Sequence, residues 1–377
     1  MRKFIFYCFF FGIIISIIES SSYLIATRIF NPRGLVYDPP EISKGEFNEY
    51  KKLYNDELGW VVAKKQEKEI DNVGSRLIPS FENPDLHLSC VSLYGDSYTF
   101  SNRTTPIEAW SNQLSILLDC RVSNFGVSGY GTDQALMRYK ENKLDTAKVV
   151  FLNHFVDDIS RNVSQYWGVR FTDRRQAFVF KPRYVLDENK ALKKIPTPKF
   201  SFQEIEQLQK QPENFLKHDY FLPGGHYGSM QLKLPYTWLV VKTILTHTKF
   251  RSLFKDEPIH MPFYQENHPS GSLQLTFRIM EEFNDEAVRR GQRPIVTIIP
   301  FSTDFDYFRR TGYWSFQNLI ALLEESEIEH INLGEQIENR VNGGDQNYLY
   351  AGEGHFNAEG DKLIAKIIFD YLNKKNS

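Results

Sequence analysis

The chain has 377 residues, enough for one large domain or two ordinary ones, and 41% of them are hydrophobic, enough to fill a sizeable core. A formal net charge of −2 argues against a nucleic-acid binder. The three cysteines make no CxxC pair and no Cys/His cluster with ligand spacing, so no metal site is expected.

Arg2 and Lys3 precede an uncharged, mostly apolar run over residues 4–18. Glu19 and three serines follow, and apolar residues resume from Tyr23 to Ala26. Basic residues ahead of the run predict a cytoplasmic N-terminus, with the rest of the chain on the far side of a membrane. Charge order and run length fit a signal peptide, with Ser20, Ser21 and Ser22 as the small residues before cleavage. Residues 4–26 also have spanning length. The anchor fits better, because no A-x-A site is present and the apolar run resumes after the serines. Residues 1–27 are expected to be this anchor or signal segment, leaving the main domain extracytoplasmic (periplasmic in a Gram-negative bacterium).

Residues 28–90 read as a lead-in packing on the main domain, with turn and extended signals at Asn31-Pro-Arg-Gly and Asp38-Pro-Pro-Glu. Asp56-Glu-Leu-Gly-Trp60 and Asp71-Asn-Val-Gly-Ser-Arg76 carry no obvious chemistry and suit extended segments. The main domain is expected over residues 91–377. Residues 91–94 suit a buried strand, broken by Gly95-Asp96-Ser97. Thr105 with Glu108 makes a capping box and Pro106 suits the first helical position, so a helix is predicted from there. Val122-Ser-Asn-Phe125 is a second strand, ending in a glycine-bearing loop over residues 126–131. A helix follows over 132–142, and then a third strand over 148–155 that ends at Asp157-Asp158. Cys90 and Cys120 each stand at the start of a strand; a disulfide is conceivable outside the cytosol, but simple packing is the commoner outcome.

The alternation stops at about residues 160–270. Between Arg161 and Phe200 there are ten Lys/Arg against three Asp/Glu. A solvated, irregular insertion explains this, since nothing aligns the charges on one face; a cap meeting an anionic glycan or lipid headgroups is the functional alternative. A short helix is predicted within residues 232–249. Regular structure resumes with a helix over 273–290, a strand over 294–300, a helical face at Phe316, Leu319, Ile320, Leu322 and Leu323, a short strand over 329–333 and a last helix over 358–372. Repeated strand–loop–helix units predict an α/β fold with a parallel sheet and right-handed crossovers.

Ser97, the 126–131 loop and Asp157-Asp158 then lie at the C-terminal ends of three strands, where open α/β sheets place their chemistry. A further loop, Gly352-Glu-Gly-His-Phe-Asn-Ala-Glu-Gly360, precedes the last helix. Ser97 can serve as a nucleophile once a base takes its proton, and His355 can be that base. A neighbouring carboxylate would fix the imidazole tautomer, and a glycine N–H can approach an oxyanion unobstructed. Each residue also has a structural use: Ser97 and the two aspartates turn the chain, and His355 packs at the start of a helix that Asn357 caps.

With these blocks in this order, the chain resembles the SGNH/GDSL hydrolase superfamily of esterases and acetyl-esterases. Gly95-Asp96-Ser97 resembles the nucleophile block, and Asn124-Phe-Gly-Val-Ser-Gly129 resembles the block whose last glycine, here Gly129, donates to the oxyanion hole. Phe155-Val-Asp-Asp-Ile159 stands where the third block should be, and His355 in Gly-His-Phe-Asn matches the last. The 56–60 and 71–76 motifs look like the lead-in of membrane-anchored envelope members. The resemblance covers residues 50–160 and 290–372 and implies a flavodoxin-like three-layer sandwich carrying a long insertion and an N-terminal anchor. It implies a Ser97–His355–acid triad without cofactor or metal. The family acid usually stands three residues before the histidine, where this chain has Gly352; Glu353, two before, is the expected acid and Asp345 the fallback. Asp157 occupies the place of the family's oxyanion asparagine, and a carboxylate accepts only. Either it is protonated, or Asn153 or a backbone N–H substitutes, or the hole is one donor short.

The expected function is a serine-dependent esterase or O-acyl transferase acting through an acyl-enzyme on an O-acylated carbohydrate or small ester. The alternative is a catalytically degenerate member that binds glycan. Expected partners are that substrate and, through residues 1–27, a membrane.

Overall fold

Five short runs rich in β-branched and aromatic residues supply the sheet: β1 (Val91–Tyr94), β2 (Val122–Asn124), β3 (Val149–Phe155), β4 (Arg293–Ile299) and β5 (His330–Asn332). In the computed structural model they form one parallel sheet in the order β5-β4-β3-β1-β2. The structure describes residues 2–61, 68–82, 88–170, 178–225, 227–247, 250, 254–341 and 343–374, without the side chain of Glu353. The central strands β1, β3 and β4 are buried along almost their whole length, as parallel strands covered on both faces must be. Helices Trp110–Leu118 and Ala358–Lys374 pack together, as do Thr132–Glu141 and Ser272–Arg289. This mixed α/β arrangement around a parallel sheet fits the expected flavodoxin-like fold. After β2 is laid outside β1, the chain returns to add β3 on the other side of β1. The loops after β1 and β3 therefore flank a topological switch point, where such sheets bind ligands.

The chain divides into two units. One holds the sheet and comprises Leu53–Val163, Pro182–Pro196 and His260–Ser377; the other comprises Met1–Lys52, Ser164–Lys181 and Thr197–Ile259. The expected lead-in over 28–90 is thus shared between them, and residues 182–196 of the expected insertion go with the sheet.

Within the sheet unit the two lead-in motifs are clamps. Tyr54–Asn55 and Gly59–Trp60 form a tight antiparallel pair, turned by the Asn55 carboxamide, which accepts from Glu57 and Leu58 N–H. Its Trp60 indole donates to Ser128 O at 3.1 Å, and Gln134 donates to Leu58 O at 2.7 Å. Asp71 accepts from Val73 and Ser75 N–H and pairs with buried Arg121 at 2.7 Å. Arg76 is fully buried, stacks 4.5 Å over the Phe100 ring and donates to the carbonyls of Phe100, Ser101 and Thr104.

Two expectations are corrected here. Ser97–Phe100 is already a helical turn, and the next helix begins at Trp110 rather than Pro106. The Thr105–Glu108 pair does form, with Glu108 accepting from both the N–H and the hydroxyl of Thr105. However, Ala109 is extended, and the Ile107 carbonyl is taken by the Asn112 and Gln113 side chains, so the turn does not propagate. Secondly, Cys90 and Cys120 are joined in a disulfide, with Cα atoms 6.1 Å apart. Each precedes one of two paired strands, so the pairing of β1 with β2 brings them within bonding range.

The other unit contains the larger part of the segment expected to form a solvated, irregular insertion, residues 164–181 and 197–259. They are instead packed through aromatics: Tyr166 stacks on Phe180 at 4.4 Å, Tyr50 on Phe178 at 5.8 Å, and Phe47 meets Phe202 at 5.8 Å. Buried Asp219 accepts from Gln165, Tyr166 and Phe221 N–H. The unit begins with helix Arg2–Leu24; among the described residues this region alone is long and apolar enough to cross a membrane, by length and composition.

The disulfide closes a segment of 30 residues. Loop-closure entropy gives such a bridge roughly 3–4 kcal/mol. Reducing it, or replacing both cysteines by serine, is expected to lower the urea midpoint accordingly. Equal midpoints with and without reductant would show that the bond adds nothing to stability.

Candidate active site

Where β1 ends the backbone has almost no free space. A Cβ on Gly95 would sit 2.1 Å from Thr99 Oγ1 and 2.9 Å from Asn153 O, so only glycine fits. Asp96 follows as the cap of the short helix, its Oδ1 accepting from Tyr98 N–H at 2.9 Å. That makes Ser97 the first helical residue, with an N–H that has no carbonyl one turn back to bond. The 126–131 loop lies alongside: Phe125 donates to Leu93 O at 2.8 Å and Val127 to Gly95 O at 3.0 Å. A Cβ on Gly126 would meet Phe100 N at 2.6 Å. Gly129 is left-handed (φ 83°), and its N–H makes no hydrogen bond to the described residues.

His355 comes from a loop built to a tight plan. Gly354 is left-handed (φ 74°), and a Cβ there would strike the Phe301 ring at 2.5 Å. Ala351 N–H donates to His355 O at 2.6 Å, and Tyr350 pairs with Phe356 across the loop. Asn357 caps the last helix by accepting from Glu359 and Gly360 N–H, as its position predicted. The result places His355 Nε2 2.8 Å from Ser97 Oγ across 258 residues of chain. The Asp96 carboxylate lies farther from that hydroxyl, at 3.4 Å. Tyr98 braces the imidazole, stacking on it at 4.6 Å while its hydroxyl donates to Gly354 O at 2.6 Å. A second histidine nearby, His154, is spoken for: Thr132 and Tyr264 hold its two nitrogens, and burial pushes its pKa down to about 3.

The Glu353 side chain lies outside the described residues. Asp345, the fallback acid, is exposed and caps the turn Gln346–Leu349 by accepting from Asn347 N–H. Asp157 Oδ1 accepts from the Ser160 hydroxyl at 3.1 Å, and its Oδ2 lies 3.7 Å from Arg161 Nε. Asn153 accepts from the Thr297 hydroxyl; its Nδ2 is enclosed in the sheet, without a described partner and without solvent access. It is therefore no ready donor to a substrate oxygen.

Two residues of the site were not foreseen. Tyr98 is one. The other is Arg161, whose guanidinium reaches Asp96 at 3.1 Å, Asp158 at 2.7 Å and Tyr130 O at 2.9 Å. It thereby ties the loops after all three strands to one cation. Burial, with the charge of Asp96, pushes the Asp158 carboxyl well above the usual range. Arg161 is held charged, the surrounding carboxylates outweighing its own burial. The spacing of Arg161 three and four residues after Asp158 and Asp157 was the available signal.

No family model and no curated protein matches the chain. Ten chains of solved structure match. One, from Desulfitobacterium hafniense DCB-2 and named as a G-D-S-L family lipolytic protein, is 11% identical and covers 74% of this chain and 97% of its own, at a TM-score of 0.35. Another is 13% identical and covers 77% and 99%, at 0.36. Likeness at that level adds no weight to what topology and geometry establish.

Two outcomes test this geometry. Tyr98→Phe keeps the stacked ring but removes the bond to Gly354 O, and should cost about 1 kcal/mol in urea unfolding; an unchanged midpoint would show that the hydroxyl does not hold the loop. Asp361, buried on the last helix and accepting from the Thr104 hydroxyl at 2.6 Å, is pushed up to about 7 by burial. The folded protein holds this proton where the unfolded chain has lost it, so stability falls as pH rises from about 4 to about 7. Asp361→Asn should flatten that part of the stability–pH curve; an unaltered slope would rule the group out as its source.

Proposed function

We propose that the chain is a serine-dependent ester hydrolase or O-acyl transferase of the SGNH/GDSL type. The observation that carries this reading is the 2.8 Å contact between Ser97 Oγ and His355 Nε2 at the switch point of the sheet. Ser97 Oγ attacks the ester carbonyl carbon as its proton passes to His355 Nε2. The oxyanion takes hydrogen bonds from Ser97 N–H, at the start of a helix, and from Gly129 N–H. Collapse expels the alcohol, which takes the proton from the imidazolium, and leaves an acyl group on Ser97. Water or a sugar hydroxyl then attacks the acyl carbon, with His355 as base, and frees the serine. Glu353, two residues before His355, is the proposed acid that orients the imidazole. The proposed substrate is an O-acylated carbohydrate or a small ester.

The proposed location is the membrane, through helix Arg2–Leu24, with the sheet unit on the extracytoplasmic side. Arg2 and Lys3 ahead of the apolar run support that orientation. The Cys90–Cys120 disulfide supports an oxidising compartment.

Asp157 motivates a second reading, a glycan-binding protein without turnover, because an acidic residue stands where the family uses an asparagine donor. Labelling with a fluorophosphonate separates the two. The hydrolase reading expects Ser97 to be labelled in the folded protein and Ser97→Ala to be silent. No labelling, alongside a reactive control esterase, would overturn it. On an aryl acetate, Asp157→Asn should raise the rate if the hole is one donor short, by up to about two to three orders of magnitude. An unchanged rate would show that the two backbone N–H groups suffice.

A further inference from the structure

Helix Tyr236–Thr246 is apolar on both of its long faces. Leu239, Val240 and Thr243 are buried, and the first two join a core with Ala26, Phe30, Leu35 and Val36. On the opposite side Trp238, Val241 and Leu245 follow helical spacing and are exposed, Trp238 at 61% and Leu245 at 64%. Leu234, just before the helix, is 70% exposed. A helix with apolar stripes on opposite faces has one stripe for the core and a second that calls for another apolar surface. Its length of 11 residues, about 16 Å, is too short to span a bilayer.

Its attachment says what covers it. Glu19, the one acidic residue of helix Arg2–Leu24, accepts from the N–H groups of Tyr236 at 2.6 Å and Thr237 at 3.1 Å. It thereby caps the shorter helix and complements its dipole. Ser22 meets the Thr237 hydroxyl at 3.2 Å, and Tyr23 packs on Tyr236 at 5.0 Å. From Phe4 to Glu19 the long helix rises about 24 Å, against a hydrocarbon core of about 30 Å. The short helix therefore starts close to the outer edge of the hydrocarbon. Tyr and Trp are the residues that favour that depth, and exposed Lys233 and Lys242 can meet anionic headgroups.

We propose that helix Tyr236–Thr246 is a membrane-interface element whose outer stripe, Trp238, Val241 and Leu245, lies in the headgroup–acyl boundary of a bilayer crossed by Arg2–Leu24. This rests on the anchor reading given above. It accounts for Glu19, an acidic residue at membrane depth, as a carboxylate satisfied by a neighbouring helix start rather than left in lipid.

The test uses the full chain with Cys8→Ser, which removes the one free cysteine among the described residues, and Leu245→Cys carrying a nitroxide. The protein is reconstituted into vesicles of phosphatidylcholine and phosphatidylglycerol. Continuous-wave spectra are recorded with oxygen, which concentrates in lipid, and with a water-soluble nickel chelate. The expected result is a label open to oxygen and shielded from nickel, with the same pattern for Trp238→Cys. A label open to nickel, or one shielded from both by a second copy or another protein, would overturn the proposal. Alkaline carbonate extraction of the same vesicles tests the anchor separately: release of the protein would mean that the spanning reading has failed, whereas retention with a nickel-accessible label would sink the interface helix alone.

Discussion

The site depends on how little room is left where β1 ends. Gly95 lies so close to Thr99 and to the β3 backbone that no side chain could be added, and Gly126 lies against the backbone of the Ser97 turn at Phe100 N and Asp96 O. Two backbones in van der Waals contact have few ways to shift. The serine hydroxyl, the Gly129 loop and the helix start are consequently fixed to one another by steric exclusion before any hydrogen bond is counted. The Trp60 hairpin then holds the loop from outside through Ser128 O.

Charge completes what close packing begins. Arg161 sits among Asp96, Asp157 and Asp158 and also bonds a carbonyl of the 126–131 loop. Removing either side of such a buried cluster would strand uncompensated charge, which is costly in a low-dielectric interior. Arg76 does the same for the segment after Ser97, where its guanidinium satisfies the carbonyls of Phe100, Ser101 and Thr104. The loops that carry the proposed chemistry are thus held by buried cations rather than by regular secondary structure.

Much of the sheet was legible in the sequence. Parallel strands buried on both faces read as mostly apolar runs, and those beginning at Val91, Val149 and Pro294 carry that mark. Helix starts were less legible: the Thr105–Glu108 box forms, yet side chains of Asn112 and Gln113 capture the carbonyl on which the next turn depends. The insertion was misread as solvated because its aromatic residues have no period. They pack through contacts between distant segments, such as Phe47 with Phe202, that no local pattern records.

By itself the sequence determined the sheet and the spanning-length N-terminal segment and singled out Ser97 and His355, since strand burial, hydropathy and motif order can be read along the chain. Only the tertiary structure decided that Tyr98 braces the imidazole, that Arg161 gathers three carboxylates, that Cys90 is bonded to Cys120 and that Glu19 caps a helix 217 residues away. Apart from the pairs of Arg161 with Asp157 and Asp158, four and three residues away, each of these joins segments distant in the chain. Its strength comes from burial and geometry that exist only once the chain has folded.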